Sequence, residues 1–365
     1  MFSGAGYDSS GEQCILDDLW VFDPAQGAHG EWAWMGGSKA VRASGVYGTK
    51  FKFAPGNMPG SRYEAVVWTE ESGKVWLFGG QGYDSAGDEG YLNDLWVFDP
   101  AEGAHGEWAW MGGSKTVPVS CTAGYAWCGR AGGYGAQYHF AAASNPGGRV
   151  SSATWTDKNG NLWLLGGQGY DADGTEGVLN DLWEFNPAEG AGGEWAWMGG
   201  SATVPKTCKH PYGSCGLYGS YGKEYEPALA NHPGGRLGGT TWVDDDGDLW
   251  LFGGVGYGAE GVSGGYFDGL NDLWLLKVVT TQTINFPQPK GPVTSGAKPI
   301  RLSATSSSHL AVSFKVLSGP GKVSGTNGST LTIIGPGTIV VAANQAGNDE
   351  FAAAPQVSRS ITVKP

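Results

Sequence analysis

An all-β fold assembled from stacked copies of one unit is predicted by three features of this 365-residue chain. The phrase Asp17-Asp18-Leu19-Trp20 returns as Asn93-Asp94-Leu95-Trp96, Asn180-Asp181-Leu182-Trp183 and Asn271-Asp272-Leu273-Trp274, with intervals of 76, 87 and 91 residues between the Trp positions. Recurrence at such lengths means one supersecondary unit repeated. Sixteen of the 17 Trp residues occupy equivalent places in the repeat, Trp127 being the exception. The chain also holds 65 Gly against 16% charged residues, a composition of turns and aromatic strands rather than helices.

The elements of the repeat follow in a fixed order. An alternating apolar run begins at an Arg: Arg62 to Thr69, Arg149 to Thr156, Arg236 to Val243. A polar Gly-containing turn leads to a second run closed by paired glycines, as in Val75 to Gly80, Leu162 to Gly167 and Leu249 to Gly254. An acidic loop beginning Gly-Tyr precedes the Asn-Asp-Leu-Trp run. The last run is Glu107-Trp108-Ala109-Trp110-Met111, repeated over Glu194 to Met198. Short alternating runs rich in Trp, Val and Phe read as strands bounded by turns.

Four antiparallel strands with an Arg start, a double Gly after the second and a Trp in the repeated phrase resemble the kelch repeat over residues 2–276. The resemblance implies blades of a β-propeller, each packed face to face with the next. The expected segments are 1–38, 61–113, 148–200 and 235–277, within a propeller region of 1–277. Long inserts separate the last strand from the next Arg: Lys39–Ser61, Lys115–Gly148 and Ala202–Gly235. Strand alternation brings these inserts and the acidic loops out on one face, the expected binding side.

Residues 2–39 match 78–115 without a gap, 29 of 38 being identical. The first copy therefore starts at the end of a second strand, and the fourth ends after its third. This phase predicts an incomplete ring belonging to a longer parent chain truncated upstream, with further blades or modules as partners. Met1 to Asp8 carries neither a basic nor an apolar stretch, so any signal peptide is expected upstream of this segment.

Charge breaks the chain near Lys277. Residues 1–276 hold 14 Lys/Arg against 33 Asp/Glu, and 277–365 hold 8 against 2. The acidic repeat region repels phosphate and is a poor nucleic-acid binder. No apolar run is long enough to span a membrane. Short strands separated by Gly/Pro/Ser turns over 282–365 predict a small sandwich. The stretches Ser318 to Gly325 and Ala343 to Asn348 resemble the Ig-like modules of large bacterial secreted and surface proteins, which implies a spacer.

Cys121 and Cys128, and Cys208 and Cys215, are each separated by six residues in equivalent inserts. Two local disulfides fit this spacing better than a metal site and imply an extracellular, oxidising compartment. Cys14 is left over. Asp84, Asp88, Asp171 and Asp173 in the acidic loops are candidate Ca²⁺ ligands, with a plain hairpin loop as the preferred alternative and no other cofactor expected. Aromatics on the inserts, namely Tyr47, Tyr125, Trp127, Tyr134, Tyr218 and Tyr221, are candidate ligand contacts. The repeated Arg residues are expected to anchor backbone carbonyls or loop carboxylates. No nucleophile–base set or phosphate-cradling loop stands out. The sequence thus predicts a secreted or cell-surface binding protein taking a glycan or protein ligand without catalysis. The competing expectation is a fragment of an extracellular enzyme, copper oxidase-like or a lyase, whose catalytic blades lie elsewhere.

Overall fold

The computed structural model describes residues 1–118, 127–207, 215–228, 230–259, 268–278, 282–289, 291–348 and 351–365. The fold is all-β, and the chain divides into two compact units, Met1–Leu276 and Lys277–Pro365.

In the first unit each copy of the repeat forms its own antiparallel sheet. The second sheet is ordered Glu107–Gly112, Leu95–Asp99, Val75–Phe78, Val66–Thr69. The third repeats it with Glu194–Gly199, Glu176–Asn186, Leu162–Tyr170 and Ala153–Thr156. The first sheet has three strands, Phe2–Tyr7, Gln13–Asp23 and Glu31–Gly36. The fourth is built from Thr240–Val243, Leu249–Gly256 and Asp268–Leu276, extended by Arg236–Leu237. The Leu-Trp pair of the repeated phrase lies on the third strand of the unit in all four copies.

Consecutive sheets pack face to face in the manner of propeller blades. Val66, Trp68, Phe78, Leu95 and Val97 of the second sheet share one core with Leu162, Leu164, Trp183, Phe185 and Trp195 of the third. Aromatic pairs tighten it, as where Trp76 meets Phe185 at 5.1 Å and Phe78 meets Trp195 at 5.5 Å. An indole bond recurs at the second-to-third and third-to-fourth junctions: Trp68 Nε1 donates to the Trp163 carbonyl at 3.1 Å, and Trp155 Nε1 to that of Trp250 at 2.7 Å. The fourth sheet presents the equivalent face to solvent, with Trp242, Phe252, Leu273 and Leu275 all exposed.

The run expected over Arg62 to Thr69 is two strands rather than one. Glu64 takes φ 54° and Ser151 takes φ 55°, left-handed values that break the strand. The break lets Arg62–Tyr63 pair with Gln81–Tyr83. It also links neighbouring sheets, since Ser151 N donates to the Glu64 carbonyl at 3.1 Å and Gly238 N to that of Ser151 at 2.7 Å. The paired glycines serve the same junction. Gly79 has φ 66°, and a Cβ there would lie 2.8 Å from the Arg149 carbonyl of the next sheet.

In the second unit, Ser313–Ser318, Gly337–Asn344 and Val357–Lys364 form one antiparallel sheet, joined in parallel by Val293–Thr294. A second sheet contains Ile300–Arg301, Thr330–Ile333 and Gly321–Ser324. Phe286, Phe314, Leu331, Ile339, Val341 and Ile361 meet in a common core between them, the two-layer packing expected from the alternating strands.

Candidate functional site

The inserts are fastened to the sheets at polar clusters that occur three times. Each begins with an Arg buried in the sheet. Arg62 donates to Asp94 through both terminal nitrogens, at 2.7 and 2.8 Å, and to the carbonyls of Gly60 and Gly79 at 3.0 and 2.9 Å. The same carboxylate accepts the Trp96 indole N–H at 2.6 Å and the Tyr47 hydroxyl at 2.7 Å. Arg149, Asp181, Trp183 and Tyr134 repeat the set, as do Arg236, Asp272, Trp274 and Tyr221. A buried ion pair is tolerable only when its remaining donors and acceptors are filled, and here they are.

Electrostatics follow from that geometry. Burial pushes the Asp94 pKa up, but the Arg62 charge and the bonds from Arg62, Trp96 and Tyr47 outweigh it and hold it below the usual carboxylate range. Asp272 is lowered in the same way. Tyr47 and Tyr134 are raised well above the ordinary phenol value by burial beside a carboxylate, and Tyr221 is pushed up to about 12.

These clusters relocate half of the expected ligand contacts. Tyr47 and Tyr134 are buried, at 3% and 7% exposure, with their hydroxyls committed to carboxylates. They hold inserts in place rather than face solvent. Tyr221 plays the same part while staying 37% exposed. Trp127 and Tyr218 do reach solvent, at 42% and 41%. The Trp127 backbone carbonyl accepts the Tyr170 hydroxyl at 3.1 Å, and the Tyr218 ring stands edge-on to Tyr257 at 5.5 Å. Tyr125 lies outside the described residues. Tyr138 and Tyr225, equivalent positions further along the inserts, are 59% and 93% exposed and did not stand out in the sequence.

The acidic loops turn their carboxylates inward. Asp84 is fully buried, its Oδ1 accepting N–H bonds from Ala86 at 2.7 Å and Asp88 at 3.0 Å, its Oδ2 one from Val117 at 2.8 Å. Asp171 does the same with Asp173, Thr175 and Val204. Three N–H donors on one carboxylate close a hairpin loop and pin the next insert against it. Asp173 instead forms an exposed pair with Lys206 at 3.5 Å. Among the described residues no group of His, Cys, Asp and Glu is arranged to hold a metal ion. Cys14 is a free thiol, whereas Cys128 and Cys215 are both engaged. Their expected partners, Cys121 and Cys208, lie outside the described residues.

The sequence marks the Arg residues as anchors, but their main partner is the Asp of the repeated phrase and not a loop carboxylate. The spacing held the signal: Tyr47, Tyr134 and Tyr221 each precede their Arg by 15 residues, a regularity suited to scaffold.

No family model matches this chain, and no curated protein matches it. Among solved structures it is similar to a novel fungal alcohol oxidase of the AA5 family in complex with copper, at 15% identity and TM-score 0.35. That likeness covers 95% of this chain and 61% of the oxidase, so the chain spans less than two thirds of its length. It is also similar to the structure of YjhT, at 15% identity and TM-score 0.36, covering 76% of this chain and 77% of that one. Both scores are too low to carry a functional argument. Among the described residues no helix is long and apolar enough to cross a membrane.

Proposed function

We propose that this chain is a secreted or surface-displayed binding protein that takes a glycan on the face carrying its inserts, without catalysing a reaction. The observation that carries this reading is the exposure of Trp127 and Tyr218 on inserts that are anchored to the sheets. Both rings are open to solvent, yet each sits on an insert tied to a sheet by an Arg–Asp–Tyr or Tyr–carbonyl contact. Exposed aromatic faces carried on anchored inserts suit stacking against the C–H face of a sugar ring.

On this reading the four sheets are kelch-type blades and Lys277–Pro365 is an Ig-like spacer. Cys121–Cys128 and Cys208–Cys215 are disulfides that brace the two longer inserts, in keeping with an oxidising compartment. The exposed apolar face of the fourth sheet supports a further blade of a longer chain seated against it.

The direct test is a glycan array with the parent protein and with Trp127→Ala and Tyr218→Ala. Loss of parent binding in both variants is the expected result. A parent protein that binds no glycan would overturn the reading. Non-reducing peptide mapping tests the compartment: free Cys121 or Cys208 would remove that part.

A further inference from the structure

The outer strand of the second and third sheets has one sequence, Glu-Trp-Ala-Trp-Met-Gly, at Glu107–Gly112 and Glu194–Gly199. Each copy lies in a slot with two sides. One side is the third strand of the sheet, which pairs with it antiparallel, Trp96 opposite Trp110 and Trp183 opposite Trp197. The other side is the preceding insert. Phe51 N donates to the Trp110 carbonyl at 2.9 Å and Ala54 N to that of Trp108 at 3.4 Å. Tyr138 N and Ala141 N repeat this on Trp197 and Trp195, at 2.9 and 3.3 Å. An insert tyrosine completes the slot. Tyr47 stands between Trp96 at 4.7 Å and Trp110 at 5.8 Å, and Tyr134 between Trp183 at 4.7 Å and Trp197 at 5.6 Å.

The fourth sheet has both sides of the slot. Its third strand, Asp268–Leu276, pairs on one edge with Leu249–Gly256, and among the described residues no strand pairs with the other edge. The chain passes from Leu276 directly into the second unit. The third insert nonetheless keeps the shape of its sisters. Tyr225 takes φ 64°, where Phe51 and Tyr138 take 65° and 64°. Asn231 N donates to the Ala228 carbonyl at 2.9 Å, as Asn57 N does to that of Ala54 at 3.0 Å. The Asn57 amide donates to the carbonyls of Lys52 and Trp108, whereas the Asn231 amide keeps only the counterpart of the first, to Glu226 at 3.0 Å. Among the described residues no backbone carbonyl accepts from Tyr225 N or Ala228 N, the equivalents of the two donors that hold the outer strand. Tyr221 keeps Trp274 at 4.8 Å and its bond to Asp272, but without a second indole it is 37% exposed, against 3% for Tyr47 and 7% for Tyr134.

A sheet edge, a row of N–H donors and an uncovered aromatic ring, facing one another, suit an extended peptide. Main-chain bonds to an open edge supply affinity, and a seat for alternate side chains supplies specificity. We propose that this slot binds, as the outer strand of the fourth sheet, an extended segment of another protein that carries Trp at alternate positions. The segment runs antiparallel to Asp268–Leu276. Its second Trp covers Tyr221 as Trp110 covers Tyr47, and its carbonyls accept from Tyr225 N and Ala228 N. Two filled slots of the same build define what fits this one. The same sequence occurs once more in the chain, at Glu31–Gly36, but there it is already paired with Gln13–Asp23. A donor from a second copy would have to leave that sheet, which favours a separate partner.

The probe is a fluorescein-labelled peptide, Gly-Glu-Trp-Ala-Trp-Met-Gly-Gly, the sequence of residues 106–113 and 193–200. Fluorescence polarisation with the full chain measures affinity, and calorimetry the stoichiometry. Saturable binding of one peptide per chain is expected, because the other outer strands are in place. Replacing the second Trp of the peptide by Ala, or N-methylating its alternate amides, should weaken binding about ten-fold or more, and neither change can unfold the protein. Tyr221→Ala should weaken it as much, while Tyr221→Phe, which keeps the ring, should bind like the parent. No binding of the peptide, equal binding of a scrambled peptide, or binding unchanged in Tyr221→Ala overturns the slot. Sedimentation of the parent tests the source. A dimer that the peptide dissociates would overturn the separate partner and make Glu31–Gly36 of a second copy the donor.

Discussion

Tyr134 donates its hydroxyl to Asp181 Oδ2 at 2.6 Å, tying the second insert to the third strand of the sheet that follows it. That one carboxylate also receives both terminal nitrogens of Arg149 and the Trp183 indole. Four donors on two oxygens make Asp181 the point where insert, sheet edge and repeated phrase are joined. Function on the inserts depends on that joint, because a ligand-binding loop is only as well placed as its anchor.

The members of the cluster should differ in what their loss costs. Arg149→Met leaves the Asp181 charge buried without its counter-ion and is expected to destabilise the protein by about 3–5 kcal/mol. Tyr134→Phe removes one donor while three remain, an expected loss of about 1–2 kcal/mol. Tyr221→Phe should cost less than Tyr134→Phe, since Tyr221 is 37% exposed and water replaces the lost bond. Urea denaturation of the three variants measures the order. Equal losses for Tyr134→Phe and Arg149→Met would refute it.

Glu184 gives the protein a pH dependence of unusual sign. Burial, with the Asp157 charge adding to it, pushes its carboxyl from the ordinary 4.5 up to about 7, although Asn161 donates a hydrogen bond at 2.7 Å. Between those two values the folded state holds a proton that the unfolded state has released. Stability from this group therefore falls as pH rises from about 4.5 to about 7, and stays low above that. Glu184→Gln mimics the protonated form. It is expected to stabilise the protein by on the order of 2–3 kcal/mol at pH 8 and to be nearly neutral at pH 4. Denaturation at the two pH values checks this, and a gain that is the same at both would remove Glu184 as the cause.

Asp171 offers a choice between a turn and a cation site. Its oxygens accept N–H bonds from Asp173, Thr175 and Val204 at 2.9, 2.8 and 2.8 Å. Asp171→Ala should lower stability by about 2–4 kcal/mol, through three donors left without their charged acceptor. Calcium or a chelator should leave the parent's melting temperature unchanged. A chelator-sensitive midpoint that Asp171→Ala abolishes would instead make this loop a calcium site.

Much of the architecture is legible in the sequence because strands and turns are local. Alternation marks which residues face a neighbour, and paired glycines mark where the backbone must close up on it. Side-chain partners are another matter. Arg149 and Asp181 lie 32 residues apart, and only the fold brings them together, so the Arg was visible as an anchor while its partner was not. The insert tyrosines looked free because they lie in loops, yet Tyr47 and Tyr134 are core residues of those loops. Gly192, which stands where two other copies have His29 and His105, is explained by contact with another insert: a Cβ there would lie 2.3 Å from the Phe51 ring.

The open face of the fourth sheet yields the last prediction. Trp155 and Trp242 occupy the same position in the third and fourth sheets. Trp155 is 6% exposed, packed against the next sheet, and donates its indole N–H to the Trp250 carbonyl. Trp242 is 42% exposed and rests on Trp250, with ring centroids 5.8 Å apart and planes within 4°. Trp155→Ala opens a large cavity between sheets and should cost about 3–5 kcal/mol. Trp242→Ala removes one exposed stacking contact and should cost about 1 kcal/mol. Urea denaturation of the two variants, at several protein concentrations, compares them directly. If Trp242→Ala proves as damaging as Trp155→Ala, the face is covered in solution, and a loss that grows with protein concentration would identify a second copy as the cover.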